Sequence, residues 1–336
     1  MIGTELSRRT LARGLLLGGT VAALGGSRRA AAQPSAAAFP NRPVRVVVPF
    51  GAGTSTDIMT RLVAPKMSED LGQPVVVENR AGAGGVVGSE AVAKSPPDGH
   101  TLCMGSIASH SVNASLMPRL PYDVLRDFTP VSLVTNAPNL MVVGPSVPAR
   151  TLQEFLAWAK AQRGGVSYAS AGNGTSSHLA GELLKLRTGA PLEHVPYRSG
   201  AQAVTDVVAG QVPMLVYQVT AVLPFVRDGK LRAIAMASPR RHPSLPDVPT
   251  TAEAGLTDYA AEAWFGLFAP AATPPEIIAR YAREAEAVLA EPAVANRALE
   301  AGAFARFEDP ATLRARVERE TSSWTALVKA VGIKAD

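Results

Sequence analysis

Residues 44–61, reading VRVVVPFGAGTSTDIMTR, leave the backbone few choices: an apolar, β-branched run feeds a short glycine turn and then a helix. Val44, Val46, Val47 and Val48 suit a strand packed on both faces, and Pro49 stops it. The turn Gly51-Ala52-Gly53-Thr54-Ser55-Thr56 carries almost no side-chain bulk, so a ligand can approach its main chain. Thr54 with Asp57 three residues on resembles an N-terminal capping box. A helix start of this kind presents unpaired N–H groups and a partial positive charge, which suits a carboxylate or phosphate.

The arrangement occurs twice. Gly172-Asn173-Gly174-Thr175-Ser176-Ser177-His178 aligns without a gap on residues 51–57 at an offset of 121. The second copy also follows a strand-like run, Val166-Ser167-Tyr168-Ala169-Ser170, and opens a helix with Leu179, Leu183, Leu184 and Leu186 at helical spacing. Two ordinary strand-to-helix turns sharing small residues by chance are the plain alternative.

The first 32 residues read as an export signal rather than as fold. Ser7-Arg8-Arg9-Thr10-Leu11 is a twin-arginine signature, residues 14–26 form a short apolar stretch, and Ala30-Ala31-Ala32 is an A-x-A cleavage site. A mature chain beginning near Gln33 in the periplasm is expected. A cytoplasmic protein with an arginine-rich start is the alternative. The segment holds five arginines against one glutamate, so its removal takes the formal net charge from +5 to +1. Nucleic acid and acidic membranes thereby lose their main support as partners. The single cysteine, Cys103, lies in an apolar run and excludes an intrachain disulfide. No later stretch is long and apolar enough to span a bilayer, so direct membrane insertion of the mature chain is not expected. A monomer is expected.

Beyond the first turn, strands and helices alternate. A helix from about Thr56 carries Pro65, which should kink or shorten it. Residues 75–77 form a strand, followed by the glycine cluster Ala81-Gly82-Ala83-Gly84-Gly85. That cluster fails the dinucleotide spacing, because position 87 is valine and no acid follows at the required distance, so it reads as a tight packing turn. Residues 101–105 form a third strand ending near Ser106 and Ser109. Apolar runs at 128–133 and 140–143 carry the chain to a second lobe. That lobe repeats the plan with strands near 166–170, 192–197, 211–217 and 231–237. An apolar run from Trp264 returns to the first lobe, and three helical segments finish the chain. Short strands separated by helices predict an α/β fold with doubly wound, mostly parallel sheets and helices on both faces, with ligands beyond the carboxyl ends of the strands. The lobes are expected at 40–140 plus 262–336 and at 141–261.

At this point the chain resembles a known family. Pro49-Phe50-Gly51-Ala52-Gly53 with Thr56-Asp57-Ile58, Val77-Glu78-Asn79-Arg80-Ala81-Gly82-Ala83-Gly84-Gly85, Pro97-Asp98-Gly99-His100-Thr101-Leu102, Tyr168-Ala169-Ser170-Ala171-Gly172-Asn173-Gly174, His194-Val195-Pro196-Tyr197-Arg198 and Trp264-Phe265-Gly266-Leu267-Phe268-Ala269-Pro270 stand in the family's order. They are similar to blocks of the tripartite tricarboxylate transporter solute-binding proteins, the Bordetella uptake protein type. The resemblance implies a two-lobed receptor of the periplasmic binding protein type, a small carboxylate held in a cleft that closes, and membrane transporter subunits as partners. It further implies that the two turns grip one carboxylate through main-chain N–H groups and water. Residue by residue, the first grip is Phe50, Gly51, Ala52, Gly53, Thr54 and Asp57, and the second is Ser170, Gly172, Gly174, Thr175 and Ser176.

Individual roles stay open at this level. Asp57 either caps its helix or orients water or a ligand amine, and His178 aligns with it in the second lobe. Arg198 is either solvated surface charge or a contact for a second ligand acid. Thr54 replaces the second glycine of a Gly-Gly pair common in the family, Pro213 stands where an aspartate is frequent, and Tyr217-Gln218 stands where Phe-Asp is frequent. Loss of that acid at Gln218 makes an amino acid ligand less favoured. Catalysis is weakly supported: the five histidines show no H-E-x-x-H spacing, and neither G-x-S-x-G nor a phosphate-binding loop occurs. Neither a metal nor a cofactor is expected. The competing functions are an enzyme acting on the bound acid and a sensor without a transporter.

Overall fold

A computed structural model describes residues 39–117 and 119–331. The expected export segment, residues 1–32, lies outside the described residues. The chain opens with β1 (Val44–Val48), α1 (Ser55–Leu71), β2 (Val75–Asn79), α2 (Val86–Ala93), β3 (Thr101–Ser106) and α3 (Asn113–Leu116). A long strand β4 (Phe128–Val143) leads to α4 (Leu152–Ala161), β5 (Val166–Ser170), α5 (Ser176–Thr188), β6 (Leu192–Pro196), α6 (Gly200–Val208), β7 (Met214–Gln218), α7 (Val219–Arg227) and β8 (Arg232–Met236). Then β9 (Glu262–Pro270) is followed by α8 (Pro275–Ala290), α9 (Pro292–Glu300), β10 (Phe304–Glu308) and α10 (Pro310–Val331).

The strands form one continuous hydrogen-bonded path, β2-β1-β3-β9-β4-β7-β5-β6, with β8 and β10 also paired to β4. Outer strands pair in parallel, β1 with β2 and β3, and β5 with β6 and β7, as strand-helix alternation requires. The strands that join the halves bring in antiparallel pairings, β9 with β3 and β4, and β4 with β7, β8 and β10, so the sheet is mixed. The two apolar runs expected on either side of residues 134–139 are one 16-residue strand. Its first part pairs with β9 and its last part with β7, which makes it the beam on which both lobes are hung.

Helices cover both faces of each half. In β1, Val44, Val46 and Val48 enter one core cluster while Val47 enters the opposite one, the two-residue period of a strand buried on both sides. In β4, Met141 and Val143 face one cluster of the second half, and Leu140 and Val142 the other. Helix α1 runs through Pro65 to Leu71 instead of ending there. Proline removes one helical hydrogen bond, but Met59, Val63, Met67 and Leu71 bury a continuous face in the first core, and that burial holds the last turns in place. Strand β10 was not foreseen. It is a short run of mixed exposure whose partner lies far away in sequence, on β4.

Candidate functional site

The two glycine turns share their cap position and their main hydrogen bonds. Thr54 and Thr175 are the N-caps of α1 and α5, with φ and ψ of −75°, 159° and −71°, 158°. In each turn the threonine hydroxyl donates back to the carbonyl of the glycine three residues earlier, Gly51 at 2.8 Å and Gly172 at 2.7 Å. Gly53 and Gly174 both sit at φ +75°, a conformation that disfavours any side chain. The expected capping box does not form at the first turn, where the Thr54 side chain makes no capping bond; only Thr175 caps, its Oγ1 accepting from the His178 N–H at 3.5 Å. Asp57 Oδ2 accepts from the Gly53 N–H at 2.9 Å, one residue before the cap, and His178 Nδ1 accepts from the Gly174 N–H at 3.1 Å in the same way.

Those bonds decide what each residue can do. The Gly53 and Gly174 amides are committed inside their own turns. Asp57 is buried and also receives Arg61 Nε and Asn79 Nδ2, both at 2.9 Å, so it fixes the shape of the turn. The Ser55, Thr56, Ser176 and Ser177 amides at the starts of α1 and α5 remain, since no carbonyl of their own helix can reach them, while the His178 N–H goes to Thr175 Oγ1. Beside them Ser55 and Ser176 are buried. Ser55 Oγ donates to Gln218 Oε1 at 3.3 Å, and Gln218 Nε2 donates to Ser176 Oγ at 2.5 Å. One amide therefore ties the starts of two helices that come from different lobes.

These groups border a cavity of about 40 Å3 that communicates with solvent. Of the residues expected at the site, the structure brings Phe50, Gly51, Thr54, Ser106, Thr175, Ser176, Arg198 and Gln218 to its lining. Ala52 and Gly53 face outward, while Asp57, Ser109, Ser170 and Gly174 stand behind the lining and support it. Ser109 Oγ accepts from the Ser106 N–H at 3.0 Å and meets His110 Nδ1 at 2.9 Å. Ser170 Oγ meets His194 Nε2 at 2.5 Å and accepts from the Gly172 N–H at 3.1 Å. Gly172 lines a wider opening next door, which shares Phe50, Ala171 and Arg198 with the inner cavity. The glycine cluster forms the rim of that opening, and the Gly84 backbone lies against the Asn173 carbonyl of the other half.

Sequence reading missed Ser55, Ser199, Gly200, Tyr217 and Phe265 in the lining. Ser55 was legible as the first helical residue after a threonine cap. Tyr217 and Gly200 were not, because they meet only across the strand order. Tyr217 is buried, and burial pushes its hydroxyl well above the ordinary phenol range, so it serves as a neutral donor. No aspartate, glutamate or lysine lines the cavity; its one charged side chain is Arg198. Such a site stabilises negative charge with oriented N–H and O–H groups. Among the described residues no group of three or more His, Cys, Asp or Glu side chains is placed to hold a metal ion. Among them, too, no helix is long and apolar enough to cross a membrane.

The chain is 40% identical over 305 residues to protein BugT of Bordetella pertussis, covering 90% of this chain and 94% of that protein. Among solved structures it is similar to Rhodopseudomonas palustris Rpa4515 with adipate, at a TM-score of 0.86 and 33% identity, covering 89% of this chain and 100% of the other. It is also similar to MatC from the same organism with bound malate, at a TM-score of 0.81 and 37% identity, covering 86% and 100%. The architecture is the two-lobed one of periplasmic binding proteins. The family model described as tripartite tricarboxylate transporter family receptor matches residues 59–333, and the chain belongs to that family of solute-binding receptors.

Proposed function

We propose that this receptor takes a small organic carboxylate between its lobes, holds it on the first-turn amides of α1 and α5, and hands it to a membrane transporter of the tripartite tricarboxylate type. One observation carries the reading. Two similarly built helix starts, with the Ser55 and Ser176 hydroxyls, converge on a cavity that no acidic side chain lines. An anion there meets partial positive charge from two helix ends without the desolvation cost of a buried ion pair. The malate and adipate in the similar structures support the ligand class. In this reading residues 40–140 with 262–336 form one lobe and residues 141–261 the other. Residues 1–32 direct the chain to the periplasm by the twin-arginine route, and the mature protein works as a monomer.

The test is thermal-shift screening of the chain from Gln33 onward against di- and tricarboxylates and aromatic acids, followed by calorimetry. A specific acid at a hundredfold excess over its dissociation constant should add about 3 kcal/mol of stability by mass action. Lack of response to every carboxylate would overturn the reading. Chemical turnover of the bound acid would replace it with an enzyme.

A further inference from the structure

The cavity takes one edge of the second half, where β5 ends and α5 begins. The opposite edge is built from helix ends. Strands β5 and β6 run in parallel, so α4 and α5, which lead into them, both finish where those strands start. The two connecting loops meet there, the Val166 N–H donating to the Pro191 carbonyl at 2.8 Å.

Both helix ends are basic. Lys160 lies in the last turn of α4 with Arg163 just beyond it, and Lys185 and Arg187 lie in the last turn of α5. All four are exposed, and none makes an ion pair among the described residues. No aspartate or glutamate stands between Glu154 and Glu182, and the acid beside the loops is Glu193. A helix C-terminus carries partial negative charge, which accounts for cations in its last turn. It does not account for Leu186. That leucine stands between Lys185 and Arg187 with 53% of its surface exposed, the most exposed large apolar side chain among the described residues. Trp158, in the last turns of α4, is only partly buried against the core of this half. Cations on long stems around an exposed leucine and an indole match a lipid headgroup layer, where phosphates meet the charges and the apolar groups reach the acyl boundary.

We infer that this basic edge docks on acidic lipid, with Lys160, Arg163, Lys185 and Arg187 on headgroup phosphates and Leu186 at the acyl boundary. The formal charge of +1 from residue 33 onward hides the patch, because it averages unlike halves. Residues 141–261 hold eleven Lys and Arg against eight Asp and Glu, a net +3, which leaves −2 for the rest. Attachment through a few cations and one leucine is weak and reversible, and it is sensitive to salt. The docked edge lies opposite the cavity, so contact with lipid leaves the ligand free to enter and leave.

The test is co-sedimentation of the chain from Gln33 onward with vesicles of phosphatidylcholine alone or of equal parts phosphatidylcholine and phosphatidylglycerol. The wild type should pellet with the acidic vesicles, stay in solution with the neutral ones, and be released by added salt. K185Q/R187Q and K160Q/R163Q should each bind the acidic vesicles about tenfold or more weakly, and L186S several-fold more weakly at unchanged charge. R126Q/R319Q removes the same charge from exposed positions in the other half and should bind as the wild type does. All these side chains are exposed, so melting curves should overlay the wild type. Equal binding to both kinds of vesicle, no binding to the acidic ones, or like behaviour of K185Q/R187Q and R126Q/R319Q would overturn the inference. Capture of soluble polyglutamate in place of the vesicles would also overturn it and assign the edge to an acidic protein segment. Melting shifts induced by carboxylates report on the cleft separately and should be the same in K185Q/R187Q as in wild type, so failure here leaves the receptor reading standing.

Discussion

Asp57 and His178 do the same work with different chemistry. Each offers a lone pair to the N–H of a glycine at φ +75°, and each thereby holds a turn that presents its helix start to the cleft. Another histidine lies behind the lining and has a different consequence. His110 is fully buried, stacked on Phe268 with ring centroids 4.0 Å apart, and burial pushes its basicity down from 6.5 to about 3. Between those values the unfolded chain takes up a proton that the folded protein refuses. Stability is therefore complete above pH 6.5 and falls as the pH drops toward 3, by about 1.4 kcal/mol per pH unit for this one group. Urea midpoints measured from pH 7 downward should show a shallower decline in H110F than in wild type. Parallel declines would mean that other groups set the acid limit.

Among the elements, the rim of the cleft is the most sensitive to a single change. Gly84 lies at φ +62°, and a Cβ there would stand 2.9 Å from the Asn173 carbonyl across the cleft. Valine at this position combines backbone strain of about 1–3 kcal/mol with a clash that exists only when the rims touch. G84V should lower carboxylate affinity by about tenfold or more, a larger loss than G84A causes, while each half of the sheet stays folded. Equal affinities in G84V and wild type would show that the rims need not meet for binding. The glycine cluster that invites a nucleotide reading in sequence is thus a place of close approach between lobes.

At the scale of the whole molecule, β4 and β9 pass between the halves while Gln218 ties α1 to α5 at the cleft floor. This layout suits hinged closure, in which the ligand adds contacts to the closed form that the open form lacks. Solution scattering should show the radius of gyration decreasing when a bound carboxylate is added. An unchanged profile would indicate a rigid site. The charge of the chain from residue 33 onward, formally +1, adds no long-range steering, so in the proposed reading anion capture falls to the local dipoles at the helix starts.

The sequence by itself determined the local units. β-Branched runs made strands, small residues made turns, and threonines at positions 54 and 175 took the N-cap positions of helices, because each depends on neighbours a few residues away. The recurrence of one turn at two places marked both helix starts that line the cavity before any strand was placed. The tertiary structure decided which of those units share a cavity. Gln218 meets Ser55 across 163 residues, and Tyr217 reaches α6 because β7 lies beside β5 in the sheet. It also decided that α1 survives Pro65 and that β10 finds β4. Strand order follows from which apolar faces bury best together, a sum over the whole chain that no local window contains.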